Sequence, residues 1–119
     1  MKFAGVCLET ANVPRLAEFY SKVFCVEAEG DDVHSSLQVG EAGLAIYHPE
    51  GLEQRTKNTG ENRFILMFEV NDVDLEYERL KELSIKFVQL PTTHPWGTRA
   101  LWFNDPDGNR IDFFTVLAK

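Results

Sequence analysis

The residues best able to do chemistry crowd into one stretch: Trp96-Gly97-Thr98-Arg99-Ala100-Leu101-Trp102-Phe103-Asn104-Asp105-Pro106-Asp107-Gly108-Asn109-Arg110-Ile111-Asp112-Phe113-Phe114. It holds both tryptophans of the chain, with Arg110 and Asp112 close behind. Indole rings stack on flat molecules and attract cations by about 0.5–2 kcal/mol per good contact. A carboxylate can hold a cation or move a proton. Elsewhere the chemistry is thinner. His34, His48 and His94 have no ligand-type spacing and read as solvated or locally bonded imidazoles. Cys7 and Cys25 lack metal-type spacing and read as reduced, half-buried apolar groups. No Ser or Cys comes with a His and a carboxylate in a recognisable nucleophile setting, and there is no glycine-rich phosphate loop.

The elements that must position these residues are legible from local pattern. Two aromatic-rich runs flank Asp105-Pro106-Asp107-Gly108-Asn109, where Pro presets φ, Gly accepts positive φ and Asp or Asn can bond nearby amides; this predicts a β-hairpin. A shift of 60 positions lays one half of the chain on the other: Glu9 meets Glu69, Asn12 meets Asp72, and Val13, Tyr20 and Val23 meet Val73, Leu80 and Leu83. Each half reads as a strand (Lys2–Thr10, Arg63–Val70), a polar N-cap (Asn12, Asp72) and an amphipathic helix. The helices carry Val13, Leu16, Phe19/Tyr20 and Val23, then Val73, Tyr77, Leu80 and Leu83. Three strands follow in each half: Val26–Glu29, Val33–Val39 and Gly43–His48, then Lys86–Leu90, Arg99–Asn104 and Arg110–Val116. The polar segment Pro49–Asn62 reads as a linker between modules at about 1–50 and 62–119.

With 119 residues, 44% of them hydrophobic, the chain is expected to form one domain with a real core. Nineteen acidic against 12 basic side chains give a formal charge of −7, which disfavours nucleic acid as a partner. No apolar run reaches the roughly 18 residues of a membrane span, so no membrane partner is expected either. The first ten residues lack a signal peptide's apolar centre, and the expected location is the cytoplasm.

A Pro-Trp-Gly lead-in, an aromatic strand, an Asp-Pro-Asp-Gly-Asn turn and an acidic residue four places after the Gly together resemble the closing hairpin of the vicinal oxygen chelate superfamily. That superfamily includes glyoxalase I, the extradiol dioxygenases and the fosfomycin and bleomycin resistance proteins. The resemblance implies an α+β fold of two tandem βαβββ modules whose curved mixed sheets surround a cavity. It also implies a pocket face, lined by Gly5, Cys7 and Glu9, by Ala45 and Tyr47, by Ile65, Met67 and Glu69, by Ala100 and Trp102, and by Arg110, Asp112 and Phe114. Opposite parity gives Val6, Leu8, Leu44, Ile46, Leu66, Phe68, Leu101, Phe103, Ile111 and Phe113, a uniformly apolar set suited to packing on the helices.

The metal-ligand positions of that family map onto Gly5, Tyr47, Ile65 and Asp112. Gly and Ile have no donor atoms, a neutral phenol is a poor ligand, and one carboxylate does not hold an exchangeable metal, so neither metal nor cofactor is expected. What remains resembles the metal-free, bleomycin-resistance branch, whose members sequester large cationic molecules in grooves between two subunits. The expected function is binding of a cationic or aromatic small molecule, such as an antibiotic, by a homodimer. Trp96, Trp102, Tyr47 and Phe114 would stack on it, Met67 would line the groove, and Glu9, Glu69 and Asp112 would supply negative charge, with Arg110 a possible internal neutraliser. An enzyme using one of those carboxylates, glyoxalase- or dioxygenase-like with atypical ligation, and a ligand-free structural or regulatory dimer are the competing readings.

Overall fold

The computed structural model describes residues 3–50 and 65–117, so most of the expected linker lies outside the described residues. The chain divides into two compact units, Met1–Thr59 and Gly60–Lys119. In unit 1 the order is β1 (Gly5–Glu9), α1 (Val13–Phe24), β2 (Glu29–Gly30), β3 (His34–Val39) and β4 (Ala42–Tyr47). Unit 2 repeats it with β5 (Ile65–Glu69), α2 (Val73–Leu80), β6 (Lys86–Thr93), β7 (Thr98–Asn104) and β8 (Arg110–Val116). Each unit builds one four-stranded mixed sheet of matching order, β1-β4-β3-β2 and β5-β8-β7-β6. In both, the first strand pairs parallel with the last and the others are antiparallel. The result is an α+β fold of two βαβββ modules.

The helices start where their caps dictate. Asn12 Oδ1 accepts from the Arg15 amide at 3.1 Å, and Pro14 occupies the first turn, where its missing N–H is no loss. Asp72 Oδ1 accepts from the amides of Asp74 and Leu75 at 3.0 and 3.1 Å. Helix α1 buries Val13, Leu16, Ala17, Tyr20 and Val23, a stripe at helical spacing. Helix α2 buries only Val73 and Leu80 and tightens into a 3₁₀ turn at Lys81–Leu83. Two side-chain ties hold α2 to its sheet: Thr115 Oγ1 accepts from the Val73 amide and donates to the Val70 carbonyl, and Arg99 grips Asp74 with two bonds of 2.9 Å.

The predicted hairpin turn is built around Asp105. Its Oδ1 accepts from the amides of Asp107 and Asn109 at 2.9 and 2.8 Å, and its Oδ2 from Asn109 Nδ2 at 2.7 Å. Gly108 takes φ +90°, where a side chain would be strained. That satisfied shell is why a carboxylate can sit 5% exposed at the end of β7.

Several sequence expectations shift. The strand expected over 26–29 is the short pair Glu29–Gly30, and the strand expected from Gly43 to His48 runs from Ala42 to Tyr47. Strand β6 runs through Pro91 to Thr93, possible because it is a sheet edge and the proline needs no ladder partner on that side. Cys7 and Cys25 are exposed rather than half-buried. Cys25 caps α1 in the left-handed conformation, φ +58°, and so leaves the helix's apolar stripe. No helix among the described residues is long and apolar enough to cross a membrane.

Candidate functional site

Period-two alternation sorts each sheet into two faces. Of the apolar set, Leu8, Leu44, Ile46, Leu66, Leu101, Phe103, Ile111 and Phe113 are buried and Val6 and Phe68 are half-buried; Phe103 meets Phe87 and Phe113 edge-on while Phe87 meets Tyr77 of α2. The other face of each sheet is where polar and aromatic side chains collect.

In unit 1 that face forms a groove of about 500 Å³. Gly5, Cys7 and Ala45 line it as expected, joined by Glu27, Glu29, Ser36 and Gln38, which the sequence pattern did not single out. Glu9 and Tyr47 do not line it; they pair at the far end of the β1/β4 ladder, both exposed, with His34 opposite Tyr47 and its ring 6.2 Å away. A side chain at position 5 is sterically shut out. A Cβ built on Gly5, at φ +153°, would sit 1.8 Å from the Gly43 carbonyl oxygen.

In unit 2 the register assembles a row across the sheet. Met67 of β5 faces Asp112 of β8, Asp112 faces Trp102 of β7, and Trp102 faces Gln89 of β6. A second row runs Glu69, Phe114, Ala100, and a third Ile65, Arg110, Asn104. Gln89 reaches its place through a β-bulge: the ladder pairs Phe87 with Phe103 and next Gln89 with Trp102, so two β6 residues advance against one on β7. Regular pairing would put Val88 opposite Trp102. A second shift before Thr92 carries the chain into the turn that holds His94 and Trp96.

The His94 ring stacks on Trp96 with centroids 4.3 Å apart and planes 6° from parallel, while its Nε2 lies 3.2 Å from Gln89 Oε1. Trp96 is 70% exposed, so its outer face is open. His94, read from the sequence as an ordinary imidazole, therefore belongs to the site; nothing in its sequence context marks the Gln89 contact, which exists only because of the bulge. Trp102 differs from the expected open stacking wall. The Arg110 guanidinium lies over its ring, 5.8 Å from the centroid. Nor does Arg110 neutralise Asp112, since no ion pair joins them.

Asp112 is 8% exposed rather than an open groove carboxylate. Burial pushes its pKa above the ordinary carboxylate range, opposed by the Trp102 indole N–H and by the charge of His94. The indole stands near enough to favour the carboxylate without completing a hydrogen bond, for Trp102 Nε1 and Asp112 Oδ1 are both buried and unpartnered. Met67 and Glu69 are exposed on β5, and Phe114 is half-buried. Chemically, unit 2 offers an open aromatic platform on His94, and His94 stands in electrostatic reach of a carboxyl group whose pKa burial raises.

The family's metal does not fit these residues. Within unit 1 the mapped positions are Gly5, closed by the Gly43 backbone, and Tyr47; within unit 2 they are Ile65 and Asp112. Among the described residues no three of His, Cys, Asp and Glu converge on one point.

Residues 2–113 match the family model described as Glyoxalase/Bleomycin resistance protein/Dioxygenase superfamily. The uncharacterized protein YraH of Bacillus subtilis (strain 168) is 35% identical over 128 residues, covering 98% of this chain and 100% of its own length. A glyoxalase/bleomycin resistance protein/dioxygenase family enzyme from Burkholderia phytofirmans PsJN superposes with a TM-score of 0.86 at 18% identity, covering 98% of this chain and 100% of that one. A lactoylglutathione lyase from Agrobacterium tumefaciens gives 0.75 at 18% identity, over 96% and 92%. At such identities the two structures speak for the fold.

Proposed function

This chain belongs to the Glyoxalase/Bleomycin resistance protein/Dioxygenase superfamily, and from that premise we propose that it is a metal-independent binding protein for a cationic or aromatic small molecule of the kind an antibiotic presents. The reading is carried by the exposed Trp96 ring, preorganised by its stack on His94, and by the buried Asp112 carboxyl group that His94 reaches electrostatically in the same unit. A flat ring arriving on Trp96 gains stacking without ordering a mobile side chain, because His94 and its bond to Gln89 already fix the platform. A cation near Asp112 recovers part of what burial costs that carboxylate. Metal independence rests on the donor set: Gly5 and Ile65 offer no lone pair where ligands are needed.

Proflavine, a planar fused-ring cation, tests this directly. Binding should quench tryptophan fluorescence, and Trp96→Ala should weaken it by about 1–3 kcal/mol, as aromatic anchors do. Unchanged fluorescence with proflavine at millimolar concentration overturns the reading. The proposal includes a cytoplasmic homodimer, which sedimentation at micromolar concentration checks.

One observation favours a second reading. A carboxyl group with a raised pKa in electrostatic reach of an imidazole is also the equipment of a general acid–base pair. Turnover of a small-molecule substrate that is lost in Asp112→Asn would establish an enzyme instead.

A further inference from the structure

Among the described residues, the side-chain nitrogen and oxygen atoms that are buried with no hydrogen-bond partner are Trp102 Nε1, Asn104 Oδ1, Arg110 Nε and Asp112 Oδ1. All four lie in unit 2, and all on the same sheet face. The ladder sets Trp102 opposite Asp112 and Asn104 opposite Arg110, so the residues form a square on neighbouring strands. Its donors, the Trp102 indole and the Arg110 guanidinium, occupy one diagonal. Its acceptors, Asn104 and Asp112, occupy the other. Every donor thus has an acceptor beside it across the sheet and along the strand, yet none of the four atoms is paired.

Folded proteins pair nearly all buried polar atoms, since an orphan forfeits its hydration with no return. Four orphans at adjacent positions, alternating donor and acceptor, leave a pattern that a complementary group can complete. The square also carries one basic and one acidic side chain, Arg110 and Asp112, on neighbouring strands without an ion pair between them. A bare cation gains at Asp112 but is opposed by Arg110 and leaves both donors unmet. A bare carboxylate meets the donor diagonal and is opposed by Asp112. A group with an N–H donor and a carbonyl acceptor side by side meets both.

We infer that this face recognises a carboxamide-type group, its carbonyl accepting from Trp102 Nε1 or Arg110 Nε and its N–H donating to Asn104 Oδ1 or Asp112 Oδ1, with an attached aromatic ring directed to the Trp96 platform. The inference rests on the small-molecule reading above and names the ligand class for it. Trp102, Asn104 and Arg110 are only half-buried as residues, so modest side-chain rotations bring the shielded atoms to an occupant.

Three probes of nearly one shape separate the possibilities: benzamide carries donor and acceptor, benzoate only acceptors, benzamidine only donors and a positive charge. Each is titrated into the full chain and followed by the Trp102 indole and Arg110 Nε–H resonances. Benzamide is expected to bind at least tenfold tighter than either of the others and to shift both resonances. Trp102→Phe, which removes the N–H and keeps a ring, and Asn104→Leu should each erase that preference; Asn104→Ala, which also lacks an acceptor, replaces the latter if it does not fold. If benzamidine or benzoate binds tightest, or none of the three binds while proflavine does, the carboxamide assignment is overturned and the small-molecule reading stands. If proflavine fails as well, both fall.

Discussion

Replacing Gly5 with alanine tests the tightest contact in unit 1. The added Cβ would lie 1.8 Å from the Gly43 carbonyl oxygen, 2.7 Å from its carbon and 2.9 Å from its nitrogen, all below the 3.0 Å that real Cβ atoms keep. These are backbone atoms of the paired strand, so no rotamer change relieves the clash and β1 must move off β4. The opening end of the parallel ladder then loosens, including the 2.9 Å bond from the Gly43 amide to the Ala4 carbonyl, at roughly 1 kcal/mol per bond lost. Holding an L-residue at φ +153° adds about 1–3 kcal/mol of strain. Reduced freedom of the unfolded chain returns about 0.4–1 kcal/mol. The net loss is about 1–4 kcal/mol, a fall in Tm of several degrees or more for a chain of this size. Urea denaturation and a thermal melt measure it. Gly43→Ala is the matched control: it alters the partner in the same register pair, yet its Cβ meets only the Ala4 oxygen at 3.7 Å, and it should cost less than about 1 kcal/mol. A Gly5→Ala protein as stable as the Gly43→Ala control would refute the steric argument, and with it the claim that position 5 is closed to a metal-binding side chain.

Asp105→Ala removes the acceptor of three hydrogen bonds in the β7–β8 turn and should lower stability by about 2–4 kcal/mol in urea titrations, with Asp105→Asn losing less because Oδ1 is kept. Arg99 holds the Asp74 carboxyl below the ordinary carboxylate range, so their bond stabilises the fold above that range and its contribution fades as pH falls through the lowered value; in Asp74→Asn that segment of the Tm-against-pH curve should flatten. Asp112 has the opposite sign. Its pKa is raised in the folded state, so stability is lost as pH rises through that raised value, and Asp112→Asn should melt higher than the parent at neutral pH while converging with it in acid.

Features that depend on neighbours along the chain are legible in residue types alone. Asn12 and Asp72 cap their helices because the acceptor and the free amides are within three residues. The Asp105–Asn109 turn closes through one side chain and one glycine, so its residue types suffice to announce it. Period-two alternation separated Leu44, Ile46, Leu101, Phe103 and Ile111 from the opposite face, since a strand buries one side only. The 60-position repeat gave the paired modules, and the two sheets share one strand order.

The rest of the site comes from contacts across strands. Alternation cannot register a bulge, and the bulge in β6 is what sets Gln89 rather than Val88 opposite Trp102 and so draws His94 into the site. Arg110 and Trp102 lie far enough apart in sequence that only the β7/β8 ladder reveals the cation resting over the ring. The same ladder buries Asp112 and leaves its neighbours Trp102, Asn104 and Arg110 with unpaired atoms. Whether a polar atom is satisfied is a property of three-dimensional distance and angle, which residue types on a line do not carry.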